Sequence, residues 1–281
     1  MNYLFIDNRN QLRSYLNNLK ENKHHILALD TEANMHRHAY GVQLCLIQIF
    51  DGINSVIIDP FKIDNITLKI LFENRDVLKI MYDAPNDIFL LKNANNIDIK
   101  SIIDLRPGVE LLNYDRKDLH SVIYTELWIP LSDKKKYHRY NWLRRPITDE
   151  ALNYAVNDVI YLFKLKDIIL KRLFENNLFD SFILQNLRIQ NRDYFNEPMD
   201  NYKKIKGFHS LKDEEKALFQ RIWTLREKFA QQCNMPSHNV IGNSTLLNIA
   251  KNVVTINEIR FPKRFSANLK REITQQLEET L

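Results

Sequence analysis

Glycine is scarce in this 281-residue chain, which has only Gly41, Gly52, Gly108, Gly207 and Gly242. No two lie within ten positions of each other, so the chain has neither a Walker loop nor a G-x-G-x-x-G turn. Cys45 and Cys233 are too few for a disulfide framework or a cysteine-rich zinc site. No apolar run approaches the roughly 18 residues of a membrane-crossing helix. The opening residues Met1–Asp7 also lack the basic stretch of a secretion signal. The expected compartment is the cytoplasm, with no membrane partner and no nucleotide cofactor.

What is present suits an ordinary packed protein. Hydrophobic residues make up 44% of the chain and charged residues 27%, enough to bury a core and too apolar for wholesale disorder. The net charge of +5 is unevenly spread: residues 203–281 hold 14 Lys and Arg against 8 Asp and Glu. A near-neutral first part joined to a basic tail suggests chemistry in one and attraction to a polyanion in the other.

The apolar pattern opens with strands at Tyr3–Ile6, Ile26–Leu29, Val42–Phe50 and Asn54–Asp59, with a helix over 9–21 and a turn at Asp51-Gly52. A helix at 65–74, a strand at 78–82 and a helix at 86–95 follow, and the chain is mostly helical from about 105. Such alternation predicts an α/β layer fold. Thr148–Asn177 is the strongest helical stretch, with apolar residues from Leu152 to Ile169 spaced by three and four. Residues 193–210 break the periodicity. The predicted organisation is therefore a first domain over 1–192, a linker over 193–210 and a small helical domain over 211–281. There, Ile222, Trp223 and Phe229 are expected in the core.

The densest chemical signal is Ile26-Leu27-Ala28-Leu29-Asp30-Thr31-Glu32. A strand puts Asp30 and Glu32 on one face, and two like charges held side by side need a cation or a proton between them. Asp87 follows Pro85 at a predicted helix start. Tyr154 and Asp158, four apart, share a face of the long helix. Each has a plainer reading, as a strand end, a dipole-favoured acid or a helix-surface pair.

Their order resembles the DEDD exonuclease superfamily, tyrosine subclass. The strings Leu29-Asp30-Thr31-Glu32, Leu44-Cys45-Leu46-Ile47-Gln48-Ile49, Trp142-x-x-Arg145-Pro146 and Tyr154-Ala155-x-x-Asp158-Val159-x-Tyr161-Leu162 are similar to the ribonuclease D family over about residues 1–190. The tail resembles that family's HRDC domain in Trp223-x-x-Arg226, Met235-Pro236 and Thr245-Leu246-Leu247-x-Ile249-Ala250. Ala33 stands where the family usually has an aromatic residue, Tyr82 where it commonly has His, and Tyr140-Asn141 where Ser-Asp is usual. The resemblance implies an α/β, ribonuclease H-like exonuclease domain with a central mixed sheet flanked by helices, followed by a small all-α HRDC-type domain.

The resemblance also implies two divalent cations, Mg²⁺ or Mn²⁺. Asp30, Glu32 and Asp158 would hold one, Asp30 and Asp87 the other, and Tyr154 would orient the attacking water. Lys134 to Arg145 interleaves six cations with three aromatic rings, the ingredients of a single-strand site. Lys134, Lys135, Arg139, Tyr140, Trp142 and Arg145 are its candidate contacts, the alternative being a solvated basic loop. His24, His25, His36 and His38 are read as surface residues, with His36 and His38 expected near the substrate. The leading reading is a metal-dependent 3′→5′ exoribonuclease releasing nucleoside 5′-monophosphates from single-stranded RNA ends, such as tRNA or other structured precursors. A 3′→5′ DNA exonuclease is the alternative enzyme, and a non-catalytic nucleic-acid binding module is the alternative of another class.

Overall fold

The computed structural model describes residues 2–131, 134–137, 139–196 and 198–280. They form two compact units, residues 1–33 with 43–195 and residues 34–42 with 196–281. The first unit is built on six strands: β1 (Leu4–Ile6), β2 (Ile26–Met35), β3 (Val42–Phe50), β4 (Ser55–Ile58), β5 (Leu78–Met81) and β6 (Ile102–Asp104). Their order across the sheet is β1-β4-β3-β2-β5-β6. β5 runs parallel to both β2 and β6, and β4 antiparallel to β3, so the sheet is mixed. The near-continuous apolar run of β3 fits its inner position in that sheet.

Nine helices among the described residues accompany the sheet. They are α1 (Arg9–Glu21), α2 (Asn65–Phe72), α3 (Pro85–Asn95), α4 (Arg106–Leu111), α5 (Leu119–Leu127), α6 (Lys134–Tyr137), α7 (Asp149–Ile160), α8 (Leu162–Glu175) and α9 (Phe179–Asn191). Ala28 and Ile80 of the sheet share one core with Val109, Val122, Leu165, Ile169 and Phe182 from the helices. Gly108 allows α4 its close approach, because a Cβ there would meet Ile169 Cγ2 at 2.6 Å.

Two elements differ from the sequence expectation. The strand predicted to end at Leu29 continues to Met35, so Asp30 and Glu32 lie within β2 rather than beyond it. The predicted single helix over Thr148–Asn177 breaks at Tyr161 into α7 and α8. Ala151, Ala155 and Val156 of α7 pack with Trp142 and Ile57, whereas Leu165, Ile169 and Leu173 of α8 join the core around Ala28. The break serves two different cores. It carries no glycine or proline, so periodicity runs straight through it.

The second unit contains α10 (Asp213–Gln232), α11 (Ser237–Val240), α12 (Asn243–Ala250) and α13 (Ala267–Glu278). Ile222, Trp223 and Phe229 of α10 are buried with Leu246, Ile273 and Leu277. Tyr40 packs against this core, and its backbone N–H donates to Asn234 Oδ1 at 3.3 Å. Within the stretch read as a linker, Pro198–Lys204 and Phe208–Ser210 form short 3₁₀ turns that bury Tyr202 and Phe208 in the same core. No helix among the described residues is long and apolar enough to cross a membrane.

Candidate active site

The alternation of β2 puts Ala28, Asp30 and Glu32 on one face. Ala28 belongs to the core that also holds Val159 of α7. Packing therefore carries Asp158, the residue before Val159, toward the two acids of the strand. Carboxylate oxygens of Asp30, Glu32 and Asp158 lie within 4.8 Å of one another.

Asp87 reaches the group from the first turn of α3, where Pro85 occupies one of the first two helical positions. The Thr31 hydroxyl donates to Asp87 Oδ1, which links the strand to the helix. Asp104 fixes the turn before α3 by accepting from the backbone N–H groups of Asp83 at 2.8 Å and Ala84 at 3.0 Å. Four acids separated by up to 128 positions thus act on one another.

Their electrostatics follow from that convergence. Burial, then the charges of Asp87 and Asp158, hold the Asp30 carboxyl well above the usual carboxylate range. Glu32 is raised by burial and then by Asp30, Asp158 and Asp87. Asp87 is pushed up to about 7, mainly by burial, against the opposing hydrogen bond from Thr31. Hard oxygen donors that repel one another when ionised fit a divalent cation.

The sign of the pH dependence is fixed by these shifts. The folded acids retain protons that the unfolded chain has already released, so their stabilising contribution is complete below about pH 4. It is lost as pH rises through the folded values, near 7 for Asp87. In EDTA the melting temperature should fall across that window, and Mg²⁺ should raise it more at pH 7.5 than at pH 5. Scanning calorimetry at constant ionic strength checks this. Equal Mg²⁺ shifts at both pH values would separate these acids from metal binding.

Tyr154 hydrogen-bonds Asp158, and its hydroxyl is raised above the ordinary tyrosine range, first by burial and then by the charges of Asp158, Glu32 and Asp30. It therefore stays protonated and acts as a donor. Tyr137 stacks on its ring at 4.5 Å between centroids. His120 of α5, absent from the sequence reading, places Nε2 at 3.0 Å from Asp158 Oδ1. Against an ionised carboxylate that nitrogen must carry the hydrogen. A lone histidine has no spacing signal, and only the tertiary fold brings it to Asp158.

The basic stretch is less uniform than its composition suggests. Trp142 is 3% exposed and packs with Ile57 and Val156, so it offers no face to a base. Arg145 donates to Asp59 Oδ1 at 3.0 Å, to the Cys45 carbonyl at 2.7 Å and to the Trp142 carbonyl at 2.7 Å. Trp142 is thus packed into the core, and Arg145, still exposed, is tied to sheet residues distant in sequence. Tyr140 is half-buried and packs edge-on to Trp142, while Arg139 is exposed. The side chains of Lys134 and Lys135 lie outside the described residues. Arg145→Ala strands the buried Asp59 carboxylate and should cost about 3 kcal/mol. Calorimetric melting at pH 7.5 checks this, and an unchanged transition would refute the structural assignment. His25, His36 and His38 are exposed, as expected, whereas His24 is half-buried with Nδ1 3.3 Å from the Asp51 carbonyl oxygen.

A mixed sheet with two acids on an inner strand and two more from flanking helices defines the class: an α/β domain built around a carboxylate cluster suited to divalent cations. The chain belongs to the 3′-5′ exonuclease family, whose model matches residues 3–174, and residues 215–255 match the HRDC domain. Ribonuclease D of Desulfotalea psychrophila is 31% identical over 230 residues, which are 80% of this chain and 60% of that protein. The chain thus spans less than two thirds of that relative's length. The catalytic core of RRP6 from Trypanosoma brucei superposes with a TM-score of 0.80 at 20% identity, covering 99% of this chain and 79% of that one. Escherichia coli RNase D, described as an exoribonuclease involved in structured RNA processing, gives 0.76 at 22% identity, covering 100% and 75%. At those identities the likeness speaks to the fold.

Proposed function

We propose that this chain is a divalent-metal-dependent 3′→5′ exoribonuclease that removes nucleoside 5′-monophosphates from single-stranded RNA ends in the cytoplasm. The observation that carries the reading is the meeting of Asp30, Glu32 and Asp158 within 4.8 Å, with Asp87 and Tyr154 acting on the same group. Asp30, Glu32 and Asp158 would hold one cation, and Asp30 with Asp87 would hold the second. Mg²⁺ or Mn²⁺ bound there supplies the positive charge that the reacting phosphate needs and lowers the pKa of water to a usable range.

The chain's own groups do the positioning. Tyr154 keeps its proton and aligns the attacking water through its hydroxyl; so raised a group is no base near neutral pH. His120 steadies Asp158 through Nε2, with its ring centroid 5.7 Å from that of Tyr154. The basic second unit adds attraction for phosphates of longer or folded RNA, such as tRNA precursors. RNA is favoured over DNA by the kinship with ribonuclease D.

The test uses RNA and DNA oligomers of one sequence with Mg²⁺, Mn²⁺ or EDTA. Shortening of RNA only with metal is expected. Equal hydrolysis of both polymers would move the reading to a general single-strand exonuclease, and metal-free turnover would refute it. Tight RNA binding with no turnover under any metal would instead support a non-catalytic binding module.

A further inference from the structure

Helix α5 carries an aromatic stripe that the acids do not use. His120, Tyr124 and Trp128 recur at every fourth position, so they run along one side of the helix and its C-terminal cap. The stripe begins at the acidic site, where His120 meets Asp158 at 3.0 Å. At 1.5 Å of rise per residue it then leads about 12 Å away from it.

Its outer rings are open to water. Tyr124 is 52% exposed and Trp128 78%, with their ring centroids 6.1 Å apart. Val122 and Ile123 on the same helix are fully buried, so the core was within reach of this segment and those two rings were left outside it. His120 and Tyr124 also line a cleft of about 740 Å³ whose wall includes Arg116 and Arg172. Arg172 is engaged by Glu126 at 2.7 Å, while Arg116 is exposed and makes no ion pair among the described residues.

We propose that Tyr124 and Trp128 form a stacking track for the bases of a single-stranded nucleic acid whose 3′ end lies at Asp30, Glu32, Asp87 and Asp158. This rests on the exonuclease reading above. Two features favour a strand over a protein partner. The track is continuous with the acids through His120, and the helix positions beside the rings are polar, at Lys117, Ser121 and Thr125, with Leu112, Pro130 and Leu131 the apolar part of the cleft wall. Rings at successive helical turns suit bases taken one after another, and Arg116 offers a phosphate its cation. Stacking reads no sequence, so the track recognises strand length.

The test is binding in EDTA, where hydrolysis does not intervene. Full-length protein is titrated with single-stranded RNA of two and of ten nucleotides, 5′-labelled, and read by anisotropy. Tyr124→Ala and Trp128→Ala should each weaken ten-nucleotide binding by about tenfold. They should thereby shrink the preference for the longer strand, and Trp128→Phe should restore most of it. Phe174→Ala, which removes an exposed ring elsewhere, should leave that preference intact.

Tryptophan emission gives a second readout on the unaltered protein. Trp142 and Trp223 are buried, so quenching by the ten-nucleotide strand reports Trp128. Unchanged affinity in both alanine variants together with unquenched emission would overturn the proposal and leave the rings to a protein partner. Absence of hydrolysis with metal would overturn the exonuclease reading instead, while the binding comparison would still decide the track.

Discussion

Asp30→Asn is expected to lower RNA hydrolysis by about 10³-fold or more while making the metal-free protein harder to melt at pH 7.5. Asp30 is the acid common to both proposed cation positions, so no other single residue removes as much of the site. Asparagine preserves the volume and deletes the charge. The folded protein then no longer holds a carboxylate that burial, Asp87 and Asp158 all disfavour in its ionised form. The rate and the stability move in opposite directions, which general misfolding cannot imitate. Turnover of end-labelled RNA and calorimetric melting in EDTA check the pair. Retained turnover would contradict the assignment, as would a lower metal-free melting temperature.

Tyr154→Phe should cost about 10²-fold in kcat with little change in KM. Phenylalanine keeps the ring that stacks on Tyr137, so α7 retains its seat. Asp158 loses the tyrosine hydroxyl but keeps His120 Nε2 at 3.0 Å. What disappears is the donor that aligns water. Steady-state kinetics at saturating metal separate the two parameters. Wild-type kcat would make Tyr154 an ordinary helix-face residue, and a rise in KM alone would make it a substrate contact.

Much of the site was legible because short spacings offered candidate acids, and their order along the chain, resembling the exonuclease superfamily, singled them out. Asp30 and Glu32 follow strand period, Asp87 follows Pro85 into a helix, and Tyr154 with Asp158 follows helix period. What escaped was long-range. The partners of Arg145 lie 86 and 100 positions away, at Asp59 and Cys45, so a composition argument could only count it as one more cation. His120 reaches Asp158 across 38 positions. The break at Tyr161 has no local breaker and answers to two cores. The grouping of residues 34–42 with 196–281 is likewise invisible to any pattern within either segment. The helix and strand assignments hold best where burial is decided locally, as along α1 and β3.

The most direct measurement of the central claim follows a single-stranded RNA labelled at its 5′ end and, in a parallel reaction, at its 3′ end. Each is incubated with the full-length chain and Mg²⁺ or Mn²⁺, and products are resolved by size over time. The 5′-labelled strand should shorten one nucleotide at a time. The 3′ label should appear at once as a nucleoside 5′-monophosphate, and EDTA or Asp30→Asn should stop both. Internal cleavage, loss beginning at the 5′ end, or activity that survives both EDTA and Asp30→Asn would contradict a carboxylate-centred 3′→5′ exonuclease.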